Sequence, residues 1–367
     1  MKLSFSLRSF HVIIVRLWTQ DSKNEIEKRK KDHLKIVCDE DVNYQGVSTG
    51  FEDYRFVHNA LPEMNLEDVD VSIDFLGYQL NLPLMITSMG GGENQGKSLN
   101  RDLAKAANSE KVALGLGSIR PALDNSEAIS SYAIAREYAP NIPIIANIGA
   151  AQLSSSLNSR HLSNLLKNIG VDAISIHLNP LQEALQPEGD TAFKGVSKAI
   201  EILKDTILLP IIVKEVGFGL SVDVVKRLQK IGIEWVDIAG AGGTSWARVE
   251  EKRIKSKFYK KVAKEFFEWG IPTLQSLVDS VKIKGINVIA SGGIDTGLKF
   301  SKAIALGASL GGAAAPFLRV WREDSIGGIR ELISIFKETL RLSLFCTGTK
   351  NISSFKGNTS IIERIGG

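Results

Sequence analysis

Cysteine is almost missing from this chain. Cys38 and Cys346 are the only two in 367 residues, and they form no CxxC pair. That excludes a disulfide-built scaffold, and with five scattered histidines it counts against a Cys/His zinc site. An excess of one charge is missing as well. The 45 basic and 41 acidic residues leave a net +4 with no long basic block after the N-terminus, so there is no footprint for nucleic acid, although an anionic substrate is compatible. Long apolar runs are also absent. The opening MKLSFSLRSFHVIIVRLWTQ is cut by Arg16 and lacks a small-residue cleavage site, too short to span a membrane and irregular as a signal peptide. Residues 1–24 are therefore read as an extension of unknown role. What remains is 44% hydrophobic and 23% charged, the composition of a globular α/β protein, expected to be cytoplasmic and without membrane or nucleic-acid partners.

From residue 82 the chain alternates short apolar runs with amphipathic stretches. The runs are 82–90, 112–118, 143–149, 173–179, 209–217, 235–240, 287–294 and 308–316. Near-continuous hydrophobicity marks parallel strands covered on both faces. Eight such runs with helices between them predict a (β/α)8 TIM barrel over 82–350 rather than a doubly wound sheet. Helices are expected at 98–110, 126–138, 158–169, 194–204, 221–230, 296–306 and 323–346. Residues 243–272 form a charged insertion after the sixth strand, of the length that often makes a lid or site loop. Residues 25–81 read as a polar, turn-rich segment contributing to the substrate site, and 351–367 as a C-terminal tail.

A barrel keeps its active site at the carboxyl ends of its strands. Here those ends are polar or glycine-rich: Ser88-Met89-Gly90-Gly91-Gly92, Gly117-Ser118-Ile119-Arg120, Asn147-Ile148-Gly149, His177-Leu178-Asn179, Lys214-Glu215 and Gly240-Ala241-Gly242-Gly243-Thr244. Polar groups in a barrel mouth are costly unless they bind something. Gly292-Gly293 and Ala313-Ala314 end the last two strands, where small residues let backbone N–H groups reach a phosphate; tight turns alone would use the same residues. Segment 240–243 lacks the GxGxxG spacing of a dinucleotide site, so a mononucleotide such as FMN fits better. Lys214 reads either as the cation beside a reduced flavin or as the partner of Glu215 or Asp237. In His177-Leu178-Asn179-Pro180-Leu181-Gln182-Glu183, Asn179 and Pro180 open a short helix, and Glu183 either answers its dipole or holds Mg²⁺ beside phosphates. The run Arg29-Lys30-Lys31-Asp32-His33 is either solvated or folded over the mouth with Arg120 to clamp a diphosphate.

These residues carry a resemblance. RKKDHL (29–34), TSMGGG (87–92), GSIR (117–120), ANIG (146–149), HLNPLQEALQPEGD (177–190), VKEVGFG (213–219), DIAGAGGTSWARVE (237–250), SGGI (291–294) and GAAAP (312–316) resemble the type 2, FMN-dependent isopentenyl-diphosphate Δ-isomerases, in an archaeal-like form. The match covers essentially 25–350. SGGI is shared by many FMN barrels, whereas the 177–190 and 237–250 blocks are specific; where the family often has MTGG, this chain has Ser88-Met89-Gly90-Gly91. The resemblance implies interconversion of isopentenyl and dimethylallyl diphosphate, with FMN, Mg²⁺ and NADPH as reductant, in a homo-oligomer (tetramer or octamer). It implies substrate contacts from Arg29, Lys30, His33, Ser118, Arg120 and Gln182, and a metal on Glu183. FMN contacts are implied for Ser88, Met89, Ser118, Asn147, Lys214, Thr244, Gly292, Gly293, Ala313 and Ala314, and catalytic contacts to the carbon skeleton for His177, Asn179 and Gln182. The competing expectation is an FMN-dependent oxidoreductase of the 2-hydroxyacid or dihydroorotate type. It would need a histidine or cysteine base near the later strands, and all five histidines precede the fifth.

Overall fold

The structure is a computed structural model that describes residues 28–88, 94–154 and 158–366. Met89, the glycines at 90–92 and the extension 1–24 lie outside the described residues. Eight parallel strands close a barrel: β1 (Leu84–Ile86), β2 (Ala113–Ser118), β3 (Ile144–Gly149), β4 (Ala173–His177), β5 (Ile211–Lys214), β6 (Trp235–Asp237), β7 (Asn287–Ala290) and β8 (Leu310–Ala313). Each pairs with its successor, and β8 returns to β1 through Gly311 opposite Leu84 and Ala313 opposite Ile86. All eight lie within the apolar runs that predicted them. They are buried on both faces because helices cover the outside and the lumen is filled within.

Side chains alternate along a strand with period two, and this sorts each run into two cores. Leu84, Ile86, Leu114, Ile144, Ile174, Val213, Val236 and Val288 face the helices. Met85, Ala113, Ile145, Ala173, Ile212, Ile289 and Leu310 fill the lumen's lower end. A hairpin of Ile73–Phe75 and Tyr78–Leu80 plugs that end, its Phe75 and Leu80 packed into the same lumen cluster. Its turn, Leu76-Gly77, has φ of 52° and 80°, the left-handed pair whose twist suits a two-residue hairpin.

Outside the barrel the structure departs from the sequence reading in four places. Residues 28–39 are helical rather than turn-rich, because Leu34 and Val37 bury one face against the barrel. The 243–272 insertion carries two helices, Trp246–Arg253 and Lys257–Glu265, before the barrel helix Thr273–Ser280. The closing helix runs Ala315–Cys346 instead of starting at 323. Pro316 lies in its first turn, where a missing N–H costs nothing, and Asp324 and Ser325 break its geometry midway. Finally, Ile362–Arg364 pairs antiparallel with Tyr54–Phe56, tying the tail to the N-terminal segment. Among the described residues no helix is long and apolar enough to cross a membrane.

Candidate active site

Two residues above the apolar lumen layer, the same strands turn polar. Thr87, Asn147, Ser175, Lys214, Asp237 and Ser291 succeed Met85, Ile145, Ala173, Ile212, Trp235 and Ile289, with Gly115 and Gly312 as the small members. Above them opens a cavity of about 380 Å³. Its walls include Arg29, Lys30, His33, Ser88, Ser118, Arg120, Asn147, His177, Asn179, Gln182, Glu183, Lys214, Thr244, Gly292, Gly293, Ala313 and Ala314. Every site residue expected from the sequence, Met89 apart, therefore reaches one mouth.

One wall is built of backbone. Gly292 and Gly293 have φ of 97° and 66°. A Cβ on Gly292 would sit 2.2 Å from the Gly240 carbonyl oxygen, and one on Gly293 2.4 Å from Thr49 Cγ2, so only glycine fits either place. Beside them on the next strand, Ala313 and Ala314 lead into the N-terminus of Ala315–Cys346. Small side chains at a helix start fit a phosphate.

The floor is charged. Lys214 Nζ donates to the Glu215 carbonyl oxygen at 2.5 Å, and no carboxylate among the described residues approaches it within ion-pair distance. The Glu215 carboxylate instead accepts the N–H groups of Val216, Gly217 and Phe218 at 2.5–2.7 Å. Burial raises its pKa to about 7 even against those three bonds and Lys214. Asp237 is fully buried; burial raises its carboxyl too, opposed by Lys214 and by hydrogen bonds from Ser291 and Ala239. His177 Nδ1 lies 3.0 Å from Asn147 Oδ1. Burial, then Lys214 and Arg29, push its pKa down to about 3. The ring is thus neutral at pH 7, donating from Nδ1 and keeping Nε2 as an acceptor.

The rim is held by a polar net. Asn179 Nδ2 donates to Gln182 Oε1 and to Glu183 Oε1, both at 3.0 Å. Glu183 Oε2 accepts from Gln186 Nε2 at 2.5 Å and the Asp190 N–H at 2.7 Å. Three donors leave this carboxylate one lone-pair direction, and Asn179 Oδ1 is buried without a hydrogen-bond partner among the described residues. Among the described residues no three metal-ligating side chains cluster, so a cation at Glu183 would take its other ligands from substrate and water, as Mg²⁺ commonly does. Gln182 Nε2 donates to Glu250 Oε1 at 3.2 Å, the oxygen that also meets His33 Nε2 at 2.8 Å. Arg253 Nη1 donates to Glu250 Oε2 at 2.8 Å and Nη2 to Glu188 at 2.5 Å. Burial alone would raise the Glu250 carboxyl, but His33 and Arg253 outweigh it and hold it below the usual range. Lys30 Nζ donates to the Ser118 carbonyl oxygen and Tyr132 hydroxyl at 3.2 and 3.1 Å, pinning helix 28–39 over β2. Arg29 and Arg120 also line the cavity, and among the described residues neither closes an ion pair. Burial lowers the Arg29 pKa, with Glu183 the strongest influence the other way.

Sequence reasoning gave no role to Thr87, Gln152, Trp246, Ser291 and Glu250, although all but Gln152 lie inside the blocks quoted above. Roles for Thr87 and Ser291 were findable by stepping two residues from the apolar lumen layer. Glu250 gave no local sign that it would meet residue 33.

A family model described as FMN-dependent dehydrogenase matches residues 22–133 and 157–362. Among curated proteins, the isopentenyl-diphosphate delta-isomerase of Pelodictyon phaeoclathratiforme is 38% identical, over 94% of this chain and 99% of that one. The enzyme of the same description from Cronobacter sakazakii is 42% identical, over 90% and 96%. Among solved structures, the flavin-binding domain of baker's yeast flavocytochrome b2 superposes with a TM-score of 0.59 at 20% identity, over 86% of this chain and 77% of that one. A mandelate oxidase carrying a C4a-OH-FMN adduct gives 0.63 at 16% identity, over 93% and 99%. At those identities the two structures speak for the fold alone. The fold is that of the FMN-dependent dehydrogenase family, and the chain belongs to the isopentenyl-diphosphate delta-isomerases within it.

Proposed function

We propose that this chain interconverts isopentenyl and dimethylallyl diphosphate by a 1,3-proton shift, with reduced FMN, Mg²⁺ and NADPH as the source of reducing equivalents. The observation that carries the reading is one mouth holding two guanidiniums that close no ion pair among the described residues, a buried carboxylate with a lone pair to spare, and a backbone cradle. Two phosphate-bearing molecules with one divalent cation between substrate and protein suit that arrangement.

FMN, when reduced, supplies an electron-rich ring that stabilises positive charge on the alkene and carries an exchangeable proton. The chain's own residues do the rest. Gly292, Gly293, Ala313 and Ala314 would hold the FMN phosphate, and Lys214 would supply a cation to the ring; Ser88, Ser118, Asn147 and Thr244 would supply further donors and acceptors. Arg29, Arg120, Lys30 and His33 meet the diphosphate by charge-assisted bonds, while Glu183 takes Mg²⁺. Asn179 and Glu250 grip the two ends of the Gln182 amide, fixing its orientation toward the carbon skeleton. His177, kept neutral, adds no like charge to a cation-like transition state. Helix 28–39 and Trp246, whose ring meets His33 edge-on at 5.1 Å, cover the mouth and exclude water. We place the enzyme in the cytoplasm as a homo-oligomer, to be read by light scattering.

The test is incubation with isopentenyl diphosphate, Mg²⁺ and FMN under reducing conditions. An isomerase forms dimethylallyl diphosphate with catalytic reductant; consumption of reductant in step with product identifies an oxidoreductase instead. Two variants then separate roles on adjacent residues. Glu183→Gln should raise the Mg²⁺ requirement and weaken substrate binding. Gln182→Leu should lower single-turnover rate with diphosphate binding largely kept, the pattern of an interaction made mainly in the transition state.

A further inference from the structure

Lys214 and Asp237 are register partners on the adjacent parallel strands β5 and β6. Register partners point to the same face of a sheet about 4.8 Å apart, and here that face is the lumen floor beneath the cavity. Each has unused hydrogen-bonding capacity toward the other. An ammonium has three donors, and Lys214 uses one of them, on the Glu215 carbonyl. Asp237 Oδ1 accepts from Ser291 Oγ at 2.5 Å and the Ala239 N–H at 3.3 Å, while Oδ2 is buried with no hydrogen-bond partner among the described residues. A carboxylate oxygen left unbonded in a fully buried place is expensive and calls for an explanation.

The other groups around Lys214 do not supply one. The Glu215 carboxylate is committed to three backbone N–H groups. His177, the register partner on β4, is bonded to Asn147 and carries no charge to balance. Asp237 is the carboxylate with a free oxygen on the lysine's own face.

We propose that Asp237 is a positioning residue that competes with the flavin ring for Lys214, and so sets how tightly reduced FMN is held relative to oxidised FMN. With oxidised, neutral FMN bound, the ammonium would lean toward Asp237 Oδ2. With reduced, anionic FMN bound, it would turn to the flavin and leave Oδ2 behind. Every increment of attraction from Asp237 is subtracted from the preference for reduced flavin. This inference rests on the reading of the cavity as an FMN site.

The experiment is spectroelectrochemical titration of bound flavin, at saturating FMN, in the wild type, Asp237→Asn, Lys214→Met and the double variant. Asparagine keeps an oxygen for Ser291 but removes the charge. Asp237→Asn should favour reduced over oxidised FMN about tenfold more than the wild type, a positive shift of about 30 mV for a two-electron couple. In the Lys214→Met background the same substitution should move the potential by less than a third of that. Equal shifts in both backgrounds would mean that Asp237 acts on the ring directly, and no shift would mean that it does not act; either overturns the proposal. If Asp237→Asn does not fold, Ser291→Ala serves instead. It strips the donor from Oδ1, strengthens the pull on Lys214, and should shift the potential negative, a zero or positive shift overturning the proposal. A chain that takes up no FMN removes the functional reading and this inference together. A chain that binds FMN and isomerises, yet fails the cycle, removes this inference alone.

Discussion

The lower and upper halves of the barrel lumen are built on the same eight strands, two residues apart, and share almost nothing in chemistry. Below, Met85, Ala113, Ile145, Ala173, Ile212, Ile289 and Leu310 pack against the hairpin residues Phe75 and Leu80. Above, Thr87, Asn147, Ser175, Lys214, Asp237 and Ser291 carry hydroxyls, an amide and charges, some of them unpartnered. The lower layer satisfies the usual rule for an interior and the upper layer breaks it repeatedly. A fold accepts that breach only where the rest of the molecule holds it in place, which is why the breach marks the site. Stability is drawn from one half and function from the other.

The sharpest way to break this division is to swap the damage. Ile212→Ala empties part of the sealed lower layer and should cost about 2–5 kcal/mol of stability. The folded fraction should keep its FMN affinity and turnover; denaturant unfolding alongside flavin titration checks both. A large loss of turnover per folded molecule would show that the layers are not separable.

Charge at the boundary gives the next effect, and its sign is fixed. Glu215 holds its proton to about pH 7 in the folded chain against an ordinary 4.5. The folded state therefore binds more protons than the unfolded state in between, and stability falls as pH rises through that window. The loss reaches at most about 3 kcal/mol. Glu215→Gln should flatten the pH 5–8 stability profile of the cofactor-free protein, as urea midpoints would reveal. A wild-type profile that rises over this range contradicts the assignment.

Lys214→Met in the upper layer should do the opposite of Ile212→Ala. Flavin retention or turnover should fall about a hundredfold, near 2.7 kcal/mol, with little change in the unfolding midpoint of the cofactor-free chain. Unchanged FMN content, potential and turnover would remove the lysine's role. The smallest effect falls on an upper-layer hydroxyl. Ser175 Oγ is buried without a partner among the described residues, so Ser175→Ala should alter stability by no more than about 1 kcal/mol, and toward stabilisation, because deleting an unsatisfied group relieves its desolvation cost. A clear destabilisation would reveal that the hydroxyl is satisfied after all.

The barrel itself was legible in the sequence. All eight strands fall inside the apolar runs, because a strand covered on both faces leaves an unbroken hydrophobic signal. The mouth was legible too, since chain direction places each run's last residues on one face. Helix 28–39 was less visible: Arg29-Lys30-Lys31-Asp32-His33 reads equally as solvated or as folded over the mouth until Tyr132 and Glu250 are brought to Lys30 and His33. The start of the last helix was hidden by Ala313-Ala314-Ala315-Pro316, small residues that suit a strand end and a helix start equally.

By itself, then, the sequence determined periodicity, strand number and the polar, glycine-rich character of the strand ends. These are properties of consecutive residues, governed by local sterics and by burial averaged over one element. Tertiary structure alone decided which side chains face each other. Lys214 sits beside Asp237 because β5 and β6 pair in one register, and Glu250 holds Gln182 and His33 together from sequence separations of 68 and 217. The tail meets Tyr54–Phe56 for the same reason. Such pairings depend on strand register and barrel closure, which depend on every strand at once, and no local stretch of the chain encodes them.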